Sequence, residues 1–340
     1  MIKKKQSAFL LVFLLVSVVA LAFALGAAVE NKGSAIYAST DAKDKNITVL
    51  LAGLDEAGGN TDVLMLLSLK GNGELNILQI PRDTYIKTDG YEGKINHIYP
   101  NFVEKYGRKN GAESFSSTMS DALGVTIDRY AVFSGKALEE LVDALGGVTL
   151  TVPHTFSYAD ESGKECTVFG GEQDLSGRDA LAFLRHRSQY TEGDLGRLDA
   201  QMRFIAALAK EALARKDLKT YFRIYQKSYR NLLTNLGEKD IINTIQVFCS
   251  CRDRINAHIM RLPGEACQSE NGAWYYFLNK NATADLLHSC FSGNAPSHFD
   301  KKHRFLKENE QAAVNIYEAK RFDMRIYTLD EAEKVRVLHK

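Results

Sequence analysis

Apolar runs alternate with amphipathic stretches along most of the chain. Short apolar runs predict buried β-strands over residues 47–53, 61–69, 75–80, 127–133, 148–152 and 255–262. Apolar positions at helical spacing predict helices over residues 111–123, 135–145, 202–214 and 308–320. Ser134 is suited to begin the second helix, and Gly146 to end it. Strands and helices alternate, which is typical of the α/β class.

The first 45 residues have a different pattern. Lysines at positions 3, 4 and 5 precede an uncharged run over residues 8–29. This run would be about 33 Å long as a helix, against a hydrocarbon core of about 30 Å. We therefore expect a cytoplasmic tail (1–7), a transmembrane anchor (8–29) and a polar linker (30–45), with the rest extracellular. A cleaved signal peptide is the competing interpretation, although its apolar region is usually shorter, about 7–15 residues.

The composition limits the possible classes of protein but does not indicate a function. The chain has 340 residues, 45% of them hydrophobic, and a formal net charge of +1. This length can bury a sizeable core, and the charge balance gives no support to a nucleic-acid surface. Five cysteines in an exported domain permit disulfides, and Cys267 with Cys290 is the pair to test first.

Arginines concentrate in the stretch over residues 185–201. Arg185 and Arg187 are two positions apart, directly after the apolar run 180–184. If that run continues as a strand, the two side chains share one face. A guanidinium keeps its charge and offers a fixed fork of donors that suits phosphate oxygens. The spacing therefore indicates a phosphate-binding site.

The second half of this stretch adds a helical surface. Arg197 and Gln201 are four positions apart, so they share one face of the helix that follows. Free backbone N–H groups at the start of a helix also favour an anion. The competing interpretation is a solvated basic loop whose arginines form ion pairs with Asp194 and Asp199.

Charged residues also lie at the ends of the first three predicted strands. Asp55 follows the first strand, Asp62 begins the second and Arg82 follows the third. Open α/β sheets bind their ligands at strand ends, so these residues are candidates for a site. Each aspartate could equally serve as a turn or cap residue.

The order of these motifs resembles the LytR-CpsA-Psr family. The resemblance covers about residues 46–215, with a weaker match over residues 255–278. It rests on six segments in order: Leu-Ala-Gly-Leu-Asp ending at Asp55, Thr-Asp-Val-Leu-Met-Leu at Asp62, Ile-Pro-Arg-Asp at Arg82, Lys-Ile-Asn-His at Lys94, Asp-Ala-Leu-Gly-Gly-Val at Asp143, and Arg-His-Arg followed by Gly-Asp-x-Gly-Arg.

This resemblance implies a mixed β-sheet flanked by helices in a domain over residues 46–290. From about residue 291 the chain is charged and poor in glycine, so we expect a charged C-terminal extension over residues 291–340. It implies an extracellular phosphotransferase at the cell membrane, which attaches polyprenyl-(di)phosphate-linked glycopolymers to peptidoglycan. Its implied site residues are Asp55 and Asp62 for Mg²⁺ (or Mn²⁺), Arg82, Arg185, Arg187 and Arg197 for catalysis at the phosphate, and Lys94, Asp194 and Gln201 for substrate binding.

Two departures from the family pattern keep an alternative open. Asn60 stands where the family usually has an arginine, and Ala200 and Met202 replace an arginine and a glutamine. A catalytically inactive lipid-glycan scaffold or regulator of envelope assembly is therefore the second hypothesis. A transcriptional regulator is a third, against which the extracellular placement and near-neutral charge argue.

The lipid part of the implied substrate adds a structural expectation. A polyprenyl chain gains about 0.8 kcal/mol for each methylene that it buries. We therefore expect an apolar tunnel lined jointly by the helices predicted over residues 111–123, 135–145 and 202–213.

Overall fold

The computed structural model of the protein describes residues 46–55, 59–88, 90–160, 162–186, 194–214, 232–237, 255–269, 272–291, 307–308, 316–317 and 326–335. Its centre is a seven-stranded mixed sheet formed by these residues, in the order β11 (Leu232–Thr234), β6 (Arg129–Phe133), β1 (Asn46–Leu54), β2 (Thr61–Lys70), β3 (Glu74–Ile80), β12 (Asn256–Arg261) and β17 (Ile326–Thr328). Strand β1 pairs in parallel with β6, and β3 with β12, while the other pairs are antiparallel. The mixed sheet flanked by helices is confirmed.

The elements run along the chain as follows. The strands are β1 (Asn46–Leu54), β2 (Thr61–Lys70), β3 (Glu74–Ile80), β4 (Tyr85–Thr88), β5 (Tyr91–Lys94), β6 (Arg129–Phe133), β7 (Val148–Val152), β8 (Phe156–Ala159), β9 (Glu165–Val168), β10 (Gly171–Leu175), β11 (Leu232–Thr234), β12 (Asn256–Arg261), β13 (Gly264–Gln268), β14 (Trp274–Leu278), β15 (Lys307–Glu308), β16 (Ile316–Tyr317) and β17 (Ile326–Thr328). The helices are α1 (Ile98–Leu123), α2 (Gly135–Leu145), α3 (Gly177–Arg185), α4 (Asp194–Ala214), α5 (Lys280–Cys290) and α6 (Leu329–Glu333), with a 3₁₀ turn at Ile95–His97.

The central sheet is buried on both faces, because its strands alternate between two hydrophobic clusters. On β1, Val49 and Leu51 face a cluster that includes residues of α2, α3 and α4. Leu50 and Ala52 face the opposite cluster, which includes residues of α1 and α5. Burial on both faces explains why these strands appear in the sequence as nearly continuous apolar runs. The fold therefore has three layers, with helices on either side of the sheet.

This layering contradicts the expected tunnel. Ala112 and Phe115 of α1 pack on one side of the sheet, whereas Leu138 of α2 and Phe204 of α4 pack on the other. The sheet separates α1 from the other two helices, so the three cannot line one space together. The expectation was wrong because helical periodicity shows which face of a helix is buried, but not which side of the sheet it covers.

The apolar run 180–184 forms a helix, so the expected strand before Arg187 was wrong. Ser176 precedes α3, and its hydroxyl accepts a hydrogen bond from the backbone N–H of Asp179, 3.2 Å away. This cap satisfies one of the free donors in the first helical turn. Five consecutive apolar residues fit a buried strand or a buried helix equally well, and here the capping residue selects the helix.

Two further expectations were wrong. Within the predicted helix 308–320, the described pairs Lys307–Glu308 and Ile316–Tyr317 form the two-stranded ladder of β15 and β16. The described residues of this stretch are therefore strand, and the others lie outside the part of the chain that the structure describes. Cys267 and Cys290 are both free, since one lies on β13 and the other is buried at the end of α5.

The C-terminal segment contributes to the main sheet. Strand β17 pairs antiparallel with β12, and Ala332 of α6 is buried in the cluster that contains α4. Lys210 of α4 forms ion pairs with Asp330 at 2.8 Å and with Glu333 at 2.6 Å. Residues 326–335 therefore extend the sheet and brace the helix that carries Arg197.

Candidate active site

Asp62 lies at an irregularity between the first two strands. Gly53 pairs with Val63, but the next residue of β1, Leu54, pairs with Thr61. Asp62 is therefore the extra residue of a β-bulge, a feature that redirects a side chain and often lies beside an active site.

Two arginines meet the Asp62 carboxylate. Nη1 of Arg82 is 2.6 Å from its Oδ1 atom, and Nη1 of Arg197 is 3.8 Å from its Oδ2 atom. The Arg197 side chain is only 2% exposed, whereas those of Arg82 and Asp62 are 17% and 16% exposed. A buried guanidinium is costly without a counter-charge, so Asp62 stabilises Arg197 in place. Two guanidinium groups are therefore held at the strand ends before any substrate arrives.

Helix α4 is attached to the sheet at its first turns. The side-chain amide of Gln79 on β3 donates to the backbone oxygen of Leu198 at 3.2 Å. Asp199 forms an ion pair with Arg261 of β12. Gln201, four residues after Arg197, is 1% exposed. These contacts fix the predicted helical face of Arg197 and Gln201 at the ends of β3 and β12.

Arg82 lies in a turn that is held from both sides. The Thr84 N–H donates to the Pro81 oxygen at 3.0 Å, and the Asn96 N–H donates to the Arg82 oxygen at 3.2 Å. Lys94 pairs with Asp83 at 2.9 Å, and its ammonium lies 5.9 Å from the centroid of the Tyr275 ring. The structure thus places Lys94 beside the residue that follows Arg82, with Asp83 as its partner.

Asp55 has uncharged partners. Its Oδ1 atom accepts a hydrogen bond from the Gly59 N–H at 3.0 Å, and its Oδ2 atom accepts one from the Asn60 side-chain amide at 2.9 Å. The Asp55 N–H in turn donates to the Asn60 backbone oxygen at 2.8 Å. Sequence reasoning treated Asn60 as a lost charge and missed this contact, although glycine and asparagine before a strand are typical of a turn.

The other departures from the family pattern lie in the core. Ala200 is fully buried and Met202 is 2% exposed, both within the cluster that contains Phe204. A charged side chain at position 200 would be surrounded here by apolar groups, which disfavour charge. In this chain the two positions contribute to packing beneath the site.

Arg185 is the last residue of α3 and lines a cavity between α2, α3 and the β8–β9 hairpin. The next residue, His186, packs its ring 4.5 Å from that of Phe156, measured between centroids. Burial lowers the pKa of the His186 imidazole, which favours its neutral form. Arg187 lies outside the described residues, and so does the side chain of Asp194, the first residue of α4.

The fold and this site define an α/β domain that holds an aspartate and two arginines at the strand ends of a mixed sheet. The model of the LytR_cpsA_psr family matches residues 15–290, and the chain belongs to this family. A relative from Bacillus cereus (strain AH820), named polyisoprenyl-teichoic acid–peptidoglycan teichoic acid transferase TagU, is 30% identical over 256 residues, covering 74% of this chain and 80% of the relative.

Solved structures share the fold. The crystal structure of gbs0355 from Streptococcus agalactiae has a TM-score of 0.61 at 24% identity, covering 75% of this chain and 92% of that one. The structure of TagT bound to LIIa-WTA has a TM-score of 0.54 at 21% identity, covering 76% and 97% of the two chains.

Proposed function

We propose that the chain is a membrane-anchored extracellular phosphotransferase that attaches polyprenyl-(di)phosphate-linked glycopolymers to peptidoglycan. The observation that carries this proposal is the Asp62 carboxylate with Arg82 and the buried Arg197 on either side of it. Curated relatives named as teichoic acid transferases that act on polyisoprenyl-linked substrate and peptidoglycan support it.

The proposed reaction forms one phosphorus–oxygen bond and breaks another. A peptidoglycan hydroxyl attacks the sugar-linked phosphorus, its proton passes to solvent water, and polyprenyl phosphate leaves with the electron pair of the broken phosphorus–oxygen bond. Negative charge grows on the oxygens around phosphorus, and fixed guanidinium groups stabilise it without reorganising. In this chain Arg82 and Arg197 would supply that stabilisation, together with Arg185 and Arg187. Lys94, Asp194 and Gln201 are proposed to bind the substrate.

The Asp55 carboxylate, whose hydrogen-bond donors are uncharged, fits a divalent cation shared with the substrate, and Asp62 is the second ligand that we propose. The described residues contain no group of three or more histidine, cysteine, aspartate or glutamate side chains that could hold a metal. Mg²⁺ in phosphoryl-transfer sites is commonly held by one or two carboxylates plus substrate phosphates, which is the donor set that Asp55 and Asp62 offer. When bound, Mg²⁺ (or Mn²⁺) would neutralise charge on the phosphate oxygens.

The anchor is part of the same proposal. Among the described residues, no helix is long and apolar enough to cross a membrane. Residues 8–29 lie outside those residues, and their uncharged sequence after three lysines supports a single anchor with the domain outside the cell. The proposed partners are therefore the membrane, the lipid-linked glycan and peptidoglycan, with no nucleic acid.

The experiment measures transfer of a polyprenyl-diphosphate-linked sugar to a peptidoglycan fragment by the full chain in detergent with Mg²⁺. Arg82→Ala should lower the rate by about 10²–10³-fold, because it removes one donor to the developing charge. Arg108→Ala on the exposed part of α1 is the matched control and should leave the rate unchanged. Equal rates for both variants would refute the site. No transfer by the wild type with several donor glycans would favour the inactive scaffold.

A further inference from the structure

A cavity of about 200 Å³ lies along α3, between Arg178 near the start of the helix and Arg185 at its end. Arg178, Leu181, Ala182 and Arg185 line it, at the spacing of one helical face. The β8–β9 hairpin forms the facing wall, and the side chain of Glu139 on α2 completes it. The cavity therefore includes Arg185, one of the arginines proposed to act at the phosphate, and follows α3 for two helical turns.

The β8–β9 hairpin contacts α3 near the start of the helix and again just after its end. The cavity lies between these two contacts. The Tyr158 hydroxyl donates to Oδ1 of Asp179 at 2.8 Å near the start of the helix. At the other end, the ring of Phe156 packs against that of His186, with 4.5 Å between centroids. Between these contacts the small side chains of Ala159 and Ala182 line the cavity and leave it unfilled.

The third wall is fixed by a close helix contact. A Cβ atom added at Gly177 would lie 2.2 Å from the backbone oxygen of Glu139, so only glycine allows α2 and α3 to approach this closely. The Gly177 N–H also donates to Oδ1 of Asp143 at 2.8 Å. Glu139 is therefore held at the cavity by the packing of the backbone on which it lies.

The lining carries charges of both signs, Arg178 and Arg185 with Asp160 and Glu139. Nη1 of Arg178 lies 3.5 Å from Oδ2 of Asp160, and Oε2 of Glu139 lies 3.5 Å from Nζ of Lys136, which is outside the lining. These ion pairs within the protein weaken the attraction of the cavity for a free ion. Its charged groups can instead donate and accept hydrogen bonds to hydroxyl and amide groups. Leu181 and the ring of Tyr158 offer apolar surface beside them.

We propose that this cavity binds one neutral sugar ring of a glycan that takes part in transfer. A pyranose presents hydroxyls at its edge and C–H groups on its faces, which match the polar and apolar parts of the lining. The proposal rests on the proposed function for its biological role, but sugar binding itself does not depend on transfer. The ring can belong to the peptidoglycan acceptor or to the glycan of the donor, since both carry neutral sugars.

The test measures binding of N-acetylglucosamine tetramer to the full chain in detergent micelles, without donor lipid. Wild type should bind, and Ala182→Leu should weaken binding by about tenfold or more, because it fills the cavity. Arg178→Gln is a second lining variant that leaves cavity packing intact, and it should also weaken binding. Lys164→Ala, at the exposed hairpin turn, is the control and should bind like the wild type.

Competition identifies the source of the sugar. Displacement of the tetramer by a peptidoglycan fragment assigns the cavity to the acceptor, and displacement by the donor's free oligosaccharide assigns it to the donor. No tetramer binding by the wild type, or equal binding by wild type and both lining variants, would overturn the proposal. A chain that binds the tetramer but performs no transfer would refute the proposed function and leave the sugar site standing.

Discussion

Two aspartates at the ends of neighbouring strands have opposite surroundings. Asp62 contacts two guanidinium groups, one of them buried. Asp55 accepts hydrogen bonds from uncharged groups, the Gly59 N–H and the Asn60 amide. The comparison teaches that a motif position does not define the electrostatic role of a side chain. Asp62 holds the arginines before substrate arrives, whereas Asp55 is held by uncharged donors and is the carboxylate that we propose for the cation.

The largest effect should come from Asp62→Ala. This change removes the Asp62 carboxylate from the buried Arg197 guanidinium, and we expect the free energy of unfolding to fall by about 3–5 kcal/mol. Transfer should fall by about 10²–10³-fold or more, since the arginines lose their fixed position. Urea denaturation and the transfer assay measure the two quantities. Asp55→Ala is the matched control for stability, and an equal loss of stability in that variant would contradict the difference between the two aspartates.

A smaller effect should follow from Asn60→Ala. It removes one hydrogen bond to the Asp55 carboxylate, so stability should fall by about 1 kcal/mol. The Mg²⁺ concentration for half-maximal transfer should shift, because Asp55 is no longer held by the amide, while Asp62 and its arginines are unchanged. Asn72→Ala, in the turn between β2 and β3, removes another asparagine hydrogen bond and is the control for turn stability. A shifted Mg²⁺ requirement in Asn72→Ala as well would contradict the assignment.

The smallest effect concerns His186, the residue after Arg185, because its burial favours the uncharged imidazole. Burial lowers the pKa of folded His186, so the unfolded chain binds a proton more readily at this residue. Its contribution to the free energy of unfolding should therefore fall as pH drops below about 6.5, the ordinary histidine pKa, toward the lower folded value. His186→Gln should flatten this pH dependence in urea titrations between about pH 7 and 5. Identical slopes for wild type and variant would exclude the effect.

Much of the fold follows from the sequence because its strands are buried on both faces. Strands β1, β2 and β3 match the predicted runs, and α2 begins after Ser134 and ends at Gly146, whose φ of 91° suits glycine. Helix α3 was not predicted because its five consecutive apolar residues show neither helical nor strand periodicity. The decisive signal was Ser176 three residues before Asp179, a common helix start.

The site, like the fold, was predicted only in part. The order of the motifs predicted Asp62, Arg82 and Arg197 as site residues, and the structure brings them into contact. The partners of Asp55 were missed, because Gly59 and Asn60 indicate a turn but do not show which side chain the Asn60 amide reaches. The cavity beside Arg185 depends on the β8–β9 hairpin and on small residues that face one another only in the folded chain.

The central claim is that Asp62 acts with the arginines, while Asp55 acts chiefly through the cation. The most direct test measures transfer against Mg²⁺ concentration for wild type, Asp55→Asn and Asp62→Asn. Both substitutions remove a carboxylate charge with little change of shape. We expect Asp55→Asn to require more Mg²⁺ and to regain much of its rate at saturation, and Asp62→Asn to stay slow at every concentration. Equal recovery of the two variants would contradict the account.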